Sequence, residues 1–298
     1  LEGIEPDDFD AAKLDTTDRW ILSRLARTIQ EATVQLEQFK FNEPVNILYR
    51  FFWNDLCDWY LEWLKPRMAD SADRAVAQNI LAFVLDQTIR LLHPFVPFIT
   101  EGIFQALNDR APRRMLKGIA QVETAPSVMT AAWPQPVLSF VDETVERQID
   151  KIQNVIRVIR EIRNKYTIAP SVTLTVSICG GPESRLVLGG NLSLIQSLAG
   201  AGEIVIGADL QKPKTAAAAV VQDMQIFVHD MIDPIAERQR LDKQKEFIES
   251  GIRSLQAKLS NPSFVDRAKP EVVEQSRQKL EDLTGQLKSV NQLLQELM

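Results

Sequence analysis

The chain has 298 residues, 45% hydrophobic and 25% charged, with a formal net charge of −6 and a pI near 5.2. That length suits two or three domains, and that composition suits a soluble globular protein rather than a fibre or a disordered tail. Acidity argues against a general nucleic-acid coat but leaves room for a local basic patch, and the widely separated Cys57 and Cys179 exclude a disulfide framework and favour a reducing cytoplasm. No uninterrupted apolar run approaches a membrane span, since Pro94 and Pro97 break Leu91–Ile99. A secretory leader is not evident, and a start at Leu1 suggests a piece of a longer polypeptide.

Residues 1–14 are acidic and aperiodic and read as a linker. Asp15-Thr16-Thr17-Asp18 offers N-cap oxygens, after which Leu22, Leu25, Ile29, Ala32, Leu36 and Phe39 trace one helical face. Asn42-Glu43-Pro44 starts a second helix, rich in aromatics from Tyr49 to Trp63, which the pattern predicts to be buried on all sides and ended by Pro66. Ser71 caps a third helix that closes at His93-Pro94, and a fourth runs from Pro97 through Leu107. Residues 110–135, with Pro112, Gly118, Pro126 and Pro134, form irregular chain that Trp133 pins to the bundle. A fifth helix from Asp142 turns Val145, Ile149, Ile152, Ile156 and Ile159 inward, carries Arg147, Lys151, Arg157, Arg160, Arg163 and Lys165, and stops at Ala169-Pro170.

The pattern then changes. Residues 172–179 alternate like a strand, Gly180-Gly181-Pro182 reads as a turn, residues 192–198 as a short helix, and 203–206 and 225–229 as further strands. From Pro234 two heptad runs follow. Leu241, Lys245, Ile248, Ile252, Leu255 and Leu259 form one seam; Val273, Ser276, Leu280, Leu283, Leu287, Val290, Leu294 and Leu297 form the other. Pro262 and Pro270 lie between them, so the seam folds back as an antiparallel hairpin about 40 Å long at roughly 1.5 Å per residue. The fold class is therefore mainly α: a helical bundle over 15–169, a small α/β module over 170–233 and a two-helix coiled-coil arm over 234–298. Between Arg253 and Lys279 the arm is net basic, which fits either a polyanion contact or an ordinary solvated surface.

Catalytic signatures are not found. His93 and His229 read as satisfied structural histidines, two cysteines and two histidines give no zinc spacing, and the glycine pairs lack the flanking residues of a phosphate loop. Asp55, Asp58 and Glu62 share a helix at steps of three and four, a pattern that internal pairing or solvation explains. On residues alone the chain reads as a non-catalytic, metal-free binding fragment.

Asp18-Arg19-Trp20-Ile21-Leu22-Ser23-Arg24-Leu25, residues 53–62 (WNDLCDWYLE), residues 92–101 (LHPFVPFITE), and residues 258–265 (KLSNPSFV) with Val272-Val273 and Arg277-Gln278-Lys279-Leu280 together resemble the bacterial valyl-tRNA synthetases. The third motif is shared with the isoleucyl and leucyl relatives, whereas the last resembles the valyl arm. The arm departs from the family pattern at Lys269-Pro270 and at Ser276. The resemblance implies that the bundle is an anticodon-binding domain, the α/β module a connector, and the hairpin a brace for the tRNA corner. The catalytic domain, with its ATP and Mg2+, and the editing domain would precede Leu1. It also implies tRNA as partner, with no DNA or membrane, in a cytoplasmic monomer.

Carried over residue by residue, Lys40 and Phe41 meet the anticodon, with Arg24 and Glu101 as further candidates; Phe39 and Phe41 as core residues are the competing account. On the arm, Arg253, Lys258, Arg267, Arg277 and Lys279 meet the tRNA corner. Two other functions stay open at this point: a coiled-coil module that pairs with a protein, and the corresponding region of an isoleucyl- or leucyl-tRNA synthetase.

Overall fold

The computed structural model describes residues 4, 8–69, 73–231, 234–260 and 270–296. It divides into two compact units: Leu1–Arg157 with Leu186–Ala201, and Val158–Arg185 with Gly202–Met298.

In the first unit α1 (Thr16–Glu37) starts with a reciprocal capping box. Asp18 N donates to Asp15 Oδ1 at 2.8 Å, and Asp15 N donates to Asp18 Oδ2 at 3.2 Å. Leu22, Leu25, Ile29 and Ala32 then point inward, as their spacing predicts. α2 (Asn42–Tyr49) passes directly into a π-helical stretch, Arg50–Tyr60, and on into α3 (Leu61–Ala69). Leu61 N donates to Leu56 O, five residues back. This wider winding buries Phe51, Leu56 and Tyr60, at steps of five and four, and leaves Tyr49 and Trp53 exposed. The expected burial on all sides is thus corrected, because a period of 3.6 does not apply here.

Pro66 does not end the helix either; the last turn continues to Ala69. One residue beyond the proline, Arg67 donates to both oxygens of Asp18, at 2.8 and 2.9 Å, and Tyr60 OH donates to Asp18 Oδ1 at 2.9 Å. Asp18 is fully buried, and burial pushes its carboxyl above the ordinary range despite Arg67.

α4 (Arg74–Leu92) packs against α1, α3 and α5 (Pro97–Arg110). Its expected cap, Ser71, lies outside the described residues, and Asp73 takes the N-cap position without a side-chain bond. α4 is long and apolar enough to cross a membrane, but 78% of that window is buried inside the protein, as for a core helix. At its middle Asp86 answers two guanidinium groups. Arg90 Nε lies 2.7 Å from Oδ2 and Arg114 Nε donates to Oδ1 at 2.8 Å, with Asp86 and Arg114 both fully buried. Arg90 also donates to the carbonyls of Glu123 and Ala132, and Arg114 to Asn108 Oδ1 and Ala111 O. Both cations lie over the Phe104 ring, at 5.7 and 4.9 Å. The irregular chain after α5 is thereby fastened from below, while Trp133 Nε1 donates to Thr33 Oγ1 at 2.9 Å from the other side.

α6 (Glu143–Lys165) buries Val145, Ile149, Ile152, Ile156 and Ile159 as predicted. It ends before Ala169-Pro170, because Thr167 turns left-handed at φ 54 and Arg163 donates to Ala169 O and Val172 O. α8 (Leu192–Ala199) packs on α3, where Trp63 Nε1 donates to Leu194 O, so it groups with the helices and not with the sheet.

The second unit holds a four-stranded sheet of order β2-β1-β4-β3, formed by β1 (Leu174–Cys179), β2 (Ala201–Gly207), β3 (Ala217–Val221) and β4 (Met224–Val228). β4 runs antiparallel to both neighbours, with Val176 opposite Val228 and Ala219 opposite Ile226. β2 runs alongside β1, where Gly202 admits Thr173 so closely that a Cβ would meet its Cγ2 at 2.5 Å. β3 and α7 (Pro182–Gly189) had no clear sequence signal. The arm is α9 (Pro234–Leu259) and α10 (Pro270–Glu296), joined along Ile248 and Ile252 against Leu280, Leu283, Leu287 and Leu294. Among the predicted seam residues, Lys245 and Leu255 are half-buried and Ser276 is buried, its Oγ donating to Val272 O; the side chains of Leu241, Val290 and Leu297 lie outside the description.

Replacing Asp86 by alanine leaves two buried cations unanswered, so we expect a loss of about 3–5 kcal/mol in denaturant unfolding. A change below about 1 kcal/mol would show that the two arginines are held by their carbonyl partners alone.

Candidate nucleic-acid interface

At the end of α1 the chain winds up tightly. Phe39 N donates to Leu36 O at 2.9 Å and Lys40 N to Gln35 O at 3.0 Å. Phe39 adopts φ 58, a left-handed conformation uncommon for a bulky residue. The inversion swings its ring off the inward face of α1, where spacing had placed it. Phe39 is 80% exposed and Phe41 59%, with ring centroids 6.5 Å apart at 74°. Lys40 stands exposed between them. The competing account, that both phenylalanines are core, is therefore excluded. Two open aromatic faces flanking a cation make a surface on which flat, anionic-backed groups can stack.

One turn further along α2 an apolar cleft of about 400 Å³ opens between α2, α4 and α5, lined among others by Val45, Tyr49, Trp53, Phe95 and Ile99. Phe98, at its α5 side, is 93% exposed. The sequence carried a signal for this feature, the apolar run through Pro94 and Pro97, but it read as a helix end.

Arg24 and Glu101 are engaged within the protein. Arg24 Nε donates to Asp55 Oδ2 at 2.8 Å and lies 3.5 Å from Glu146, which also accepts from Arg27 Nε at 2.8 Å and from Ser23 Oγ. Glu101 accepts from Gln105 Nε2, Ser127 Oγ and Val128 N, tying down the chain at 127–130. These donors, led by Gln105, hold its carboxyl below the ordinary range. Both side chains are thus bonded to neighbours within the protein. Of the other acids, Glu62 pairs with Lys65 at 2.6 Å.

On the arm, Gly251 faces Leu283 closely enough that a Cβ would meet Cδ1 at 3.1 Å. In an antiparallel pair this contact brings Arg253 and Lys258 alongside the turns that carry Arg277 and Lys279. All four are exposed. Arg277 lies 3.9 Å from Glu274, an exposed pair that solvent screens. Arg267 lies outside the described residues.

Each histidine has a hydrogen-bond partner within the protein: His93 Nδ1 is 2.8 Å from Thr100 Oγ1, and His229 Nε2 is 2.7 Å from Ser177 Oγ. Cys57 and Cys179 are free thiols. Among the described residues, no group of three or more His, Cys, Asp or Glu is placed to hold a metal ion.

Comparison with known proteins adds the following. A family described as anticodon-binding domain of tRNA ligase matches residues 18–178, and one described as valyl tRNA synthetase tRNA binding arm matches residues 233–298. The valine–tRNA ligase of Rhodopirellula baltica is 38% identical over 296 residues, covering 98% of this chain and 28% of that protein. Those of Geobacter sulfurreducens and Thermotoga maritima are 39% and 34% identical, covering 95% of this chain and 32% and 31% of their own lengths. The chain thus spans less than a third of these relatives.

A depressed carboxyl stabilises the fold only while it is ionised. The anchoring of 127–130 is therefore complete above the ordinary glutamate range and is lost as pH falls through the lower folded value of Glu101. The protection of Val128 N, taken relative to the intrinsic exchange rate at each pH, should fall on acidification in that window, and Glu101→Gln should remove that pH dependence.

Proposed function

Because this chain belongs to the family of anticodon-binding domains of tRNA ligases, we propose that it is the tRNA-holding part of a valine–tRNA ligase. It contributes binding and positioning, while bond formation between valine and tRNA, with its ATP and Mg2+, takes place on other parts of a longer polypeptide. The observation that carries the reading is the arm: Ile248 and Ile252 pack on Leu280, Leu283, Leu287 and Leu294 along one narrow seam, and Arg253, Lys258, Arg277 and Lys279 face solvent on a chain of net charge −6. Cations so placed neutralise phosphates and release counterions, which gives affinity without sequence readout.

Sequence-sensitive contact is assigned to the turn at Phe39, Lys40 and Phe41. Its open rings suit unstacked bases of a single-stranded loop, and Lys40 suits the phosphates between them. Arg24 and Glu101, bonded to Asp55 and to the chain at 127–128, contribute to the fold of the bundle rather than a free contact. The match of residues 233–298 to the valyl arm favours valine over the isoleucyl and leucyl alternatives. Holding tRNA in this way contributes to catalysis by orientation: binding energy far from the reacting centre fixes the acceptor end where chemistry occurs.

The chain should bind tRNA at low salt and progressively less as salt rises. Arg277→Ala with Lys279→Ala should weaken binding without lowering the melting temperature, since both side chains are exposed. Phe41→Ala should cost about 1–3 kcal/mol of tRNA affinity, the worth of one base–aromatic stack, with little change in stability. A chain that ignores tRNA but captures a protein through its arm would instead identify a protein-interaction module.

A further inference from the structure

The apolar cleft of about 400 Å³ between α2, α4 and α5 has no part in the readings above. None of its lining residues carries a charge. Its two threonines are already bonded within the protein: Thr88 Oγ1 donates to Val84 O at 2.6 Å, and Thr100 Oγ1 to Val96 O at 2.9 Å. The Tyr49 hydroxyl and the Trp53 indole are the polar side-chain groups of the lining that remain. A nucleotide seated there would find no cation in the lining for its phosphate, whereas an apolar side chain would leave nothing unpaired.

The exposed flank of the cleft is α5. Phe98 is 93% exposed, and five residues that line the cleft, Tyr49, Trp53, Val96, Ile99 and Ile103, are exposed as well. Together they present about 600 Å² of apolar surface, at roughly 150–200 Å² for each complete large side chain. Set against its like, such a face buries about 1,200 Å² in all, enough for a small specific interface.

Gly102 is a second, separate observation. It lies inside α5, one turn after Phe98, where glycine weakens a helix relative to alanine. The fold of the single chain does not require it: its φ is not positive, and a Cβ there would meet no atom within 4 Å. Phe98, Gly102 and Ala106, at steps of four, form one stripe on the helix, a bulky residue followed by two small ones. Where two such helices cross antiparallel about Gly102, Phe98 of each lies against Ala106 of the other, bulk against a gap. The stripe is thereby complementary to itself, as a two-fold interface requires, and it carries no charge to repel its copy.

We infer that this face of α5 is a self-association surface: a second copy of the chain docks about a two-fold axis at Gly102, with Phe98 covering the other copy's Gly102 and Ala106 and the cleft-lining Ile99 and Ile103 packing beside it. The inference departs from the monomer that the family resemblance implies, and it does not depend on the tRNA-holding function.

Sedimentation velocity on the whole 298-residue chain, freed of RNA, tests it between about 1 and 200 μM, a range over which mass action populates a weak dimer. The parent chain should move from monomer towards dimer. Phe98→Glu should stay monomeric throughout with an unchanged melting temperature, because the ring it removes is exposed. Gly102→Leu separates a fitted contact from general stickiness. Its side chain has open space in the single copy, so the melting temperature should hold or rise. In the dimer it fills the gap beneath Phe98, and association should weaken about tenfold or more. Unchanged or stronger association of either variant overturns the two-fold contact. A parent chain that stays monomeric at the highest concentration overturns it too, and a loss of tRNA affinity in Phe98→Glu would then assign the surface to RNA. The tRNA-holding function is judged apart from this, by the salt series with the Arg277→Ala, Lys279→Ala variant.

Discussion

Asp86 is the constraint around which the helical unit is arranged. It is a single carboxylate in the middle of the central helix, wholly removed from water, facing two arginines. Charges so buried are tolerated only where each finds a partner, and one carboxylate cannot neutralise two cations. The remainder is met by carbonyls of the irregular chain after α5 and by the face of Phe104. That chain has no periodic apolar face with which to pack. Its carbonyls are what the arginines need, and its position follows from theirs. Trp133 and Glu101 then fasten the same segment at two more points, so the bundle surface carrying the exposed aromatics rests on a fixed support.

Much of this architecture was legible in the residues, for identifiable reasons. Helices with ordinary winding and a local start signal, such as α1 behind Asp15 and α5 behind Pro97, follow rules that act within a few residues. The arm seam follows a repeat sustained over many turns. The exceptions each involve a departure from period or a partner far away in sequence. The aromatic helix could not be phased because its middle winds with five-residue steps, and its continuation past Pro66 depends on Asp18, 49 positions earlier. β3 is composed of alanine and valine without alternating polarity and gains its identity from pairing with β4.

The interface was harder to read than the fold. Spacing assigned Phe39 to the core, and only a left-handed backbone at that one residue removed it. Arg24 and Glu101 stand as anticodon candidates by resemblance, yet each is bonded to neighbours within the protein. The distinction between a cation that stabilises and one open to a ligand lies in its surroundings: Arg24 meets carboxylates within the protein, whereas Arg253 on the arm stands exposed. Charge counts along the chain cannot make that separation, because the partners are brought together by packing.

The inverted backbone at Phe39 has a consequence for the history of such a site. A side chain other than glycine held there carries about 1–2 kcal/mol of conformational strain, and its ring recovers little by burial, being four-fifths exposed. Selection for thermal endurance alone would drive this position towards glycine or asparagine. Persistence of a phenylalanine would therefore register a pressure external to folding, and a deep mutational survey scored once for heat resistance and once for growth would be expected to rank this codon in opposite orders.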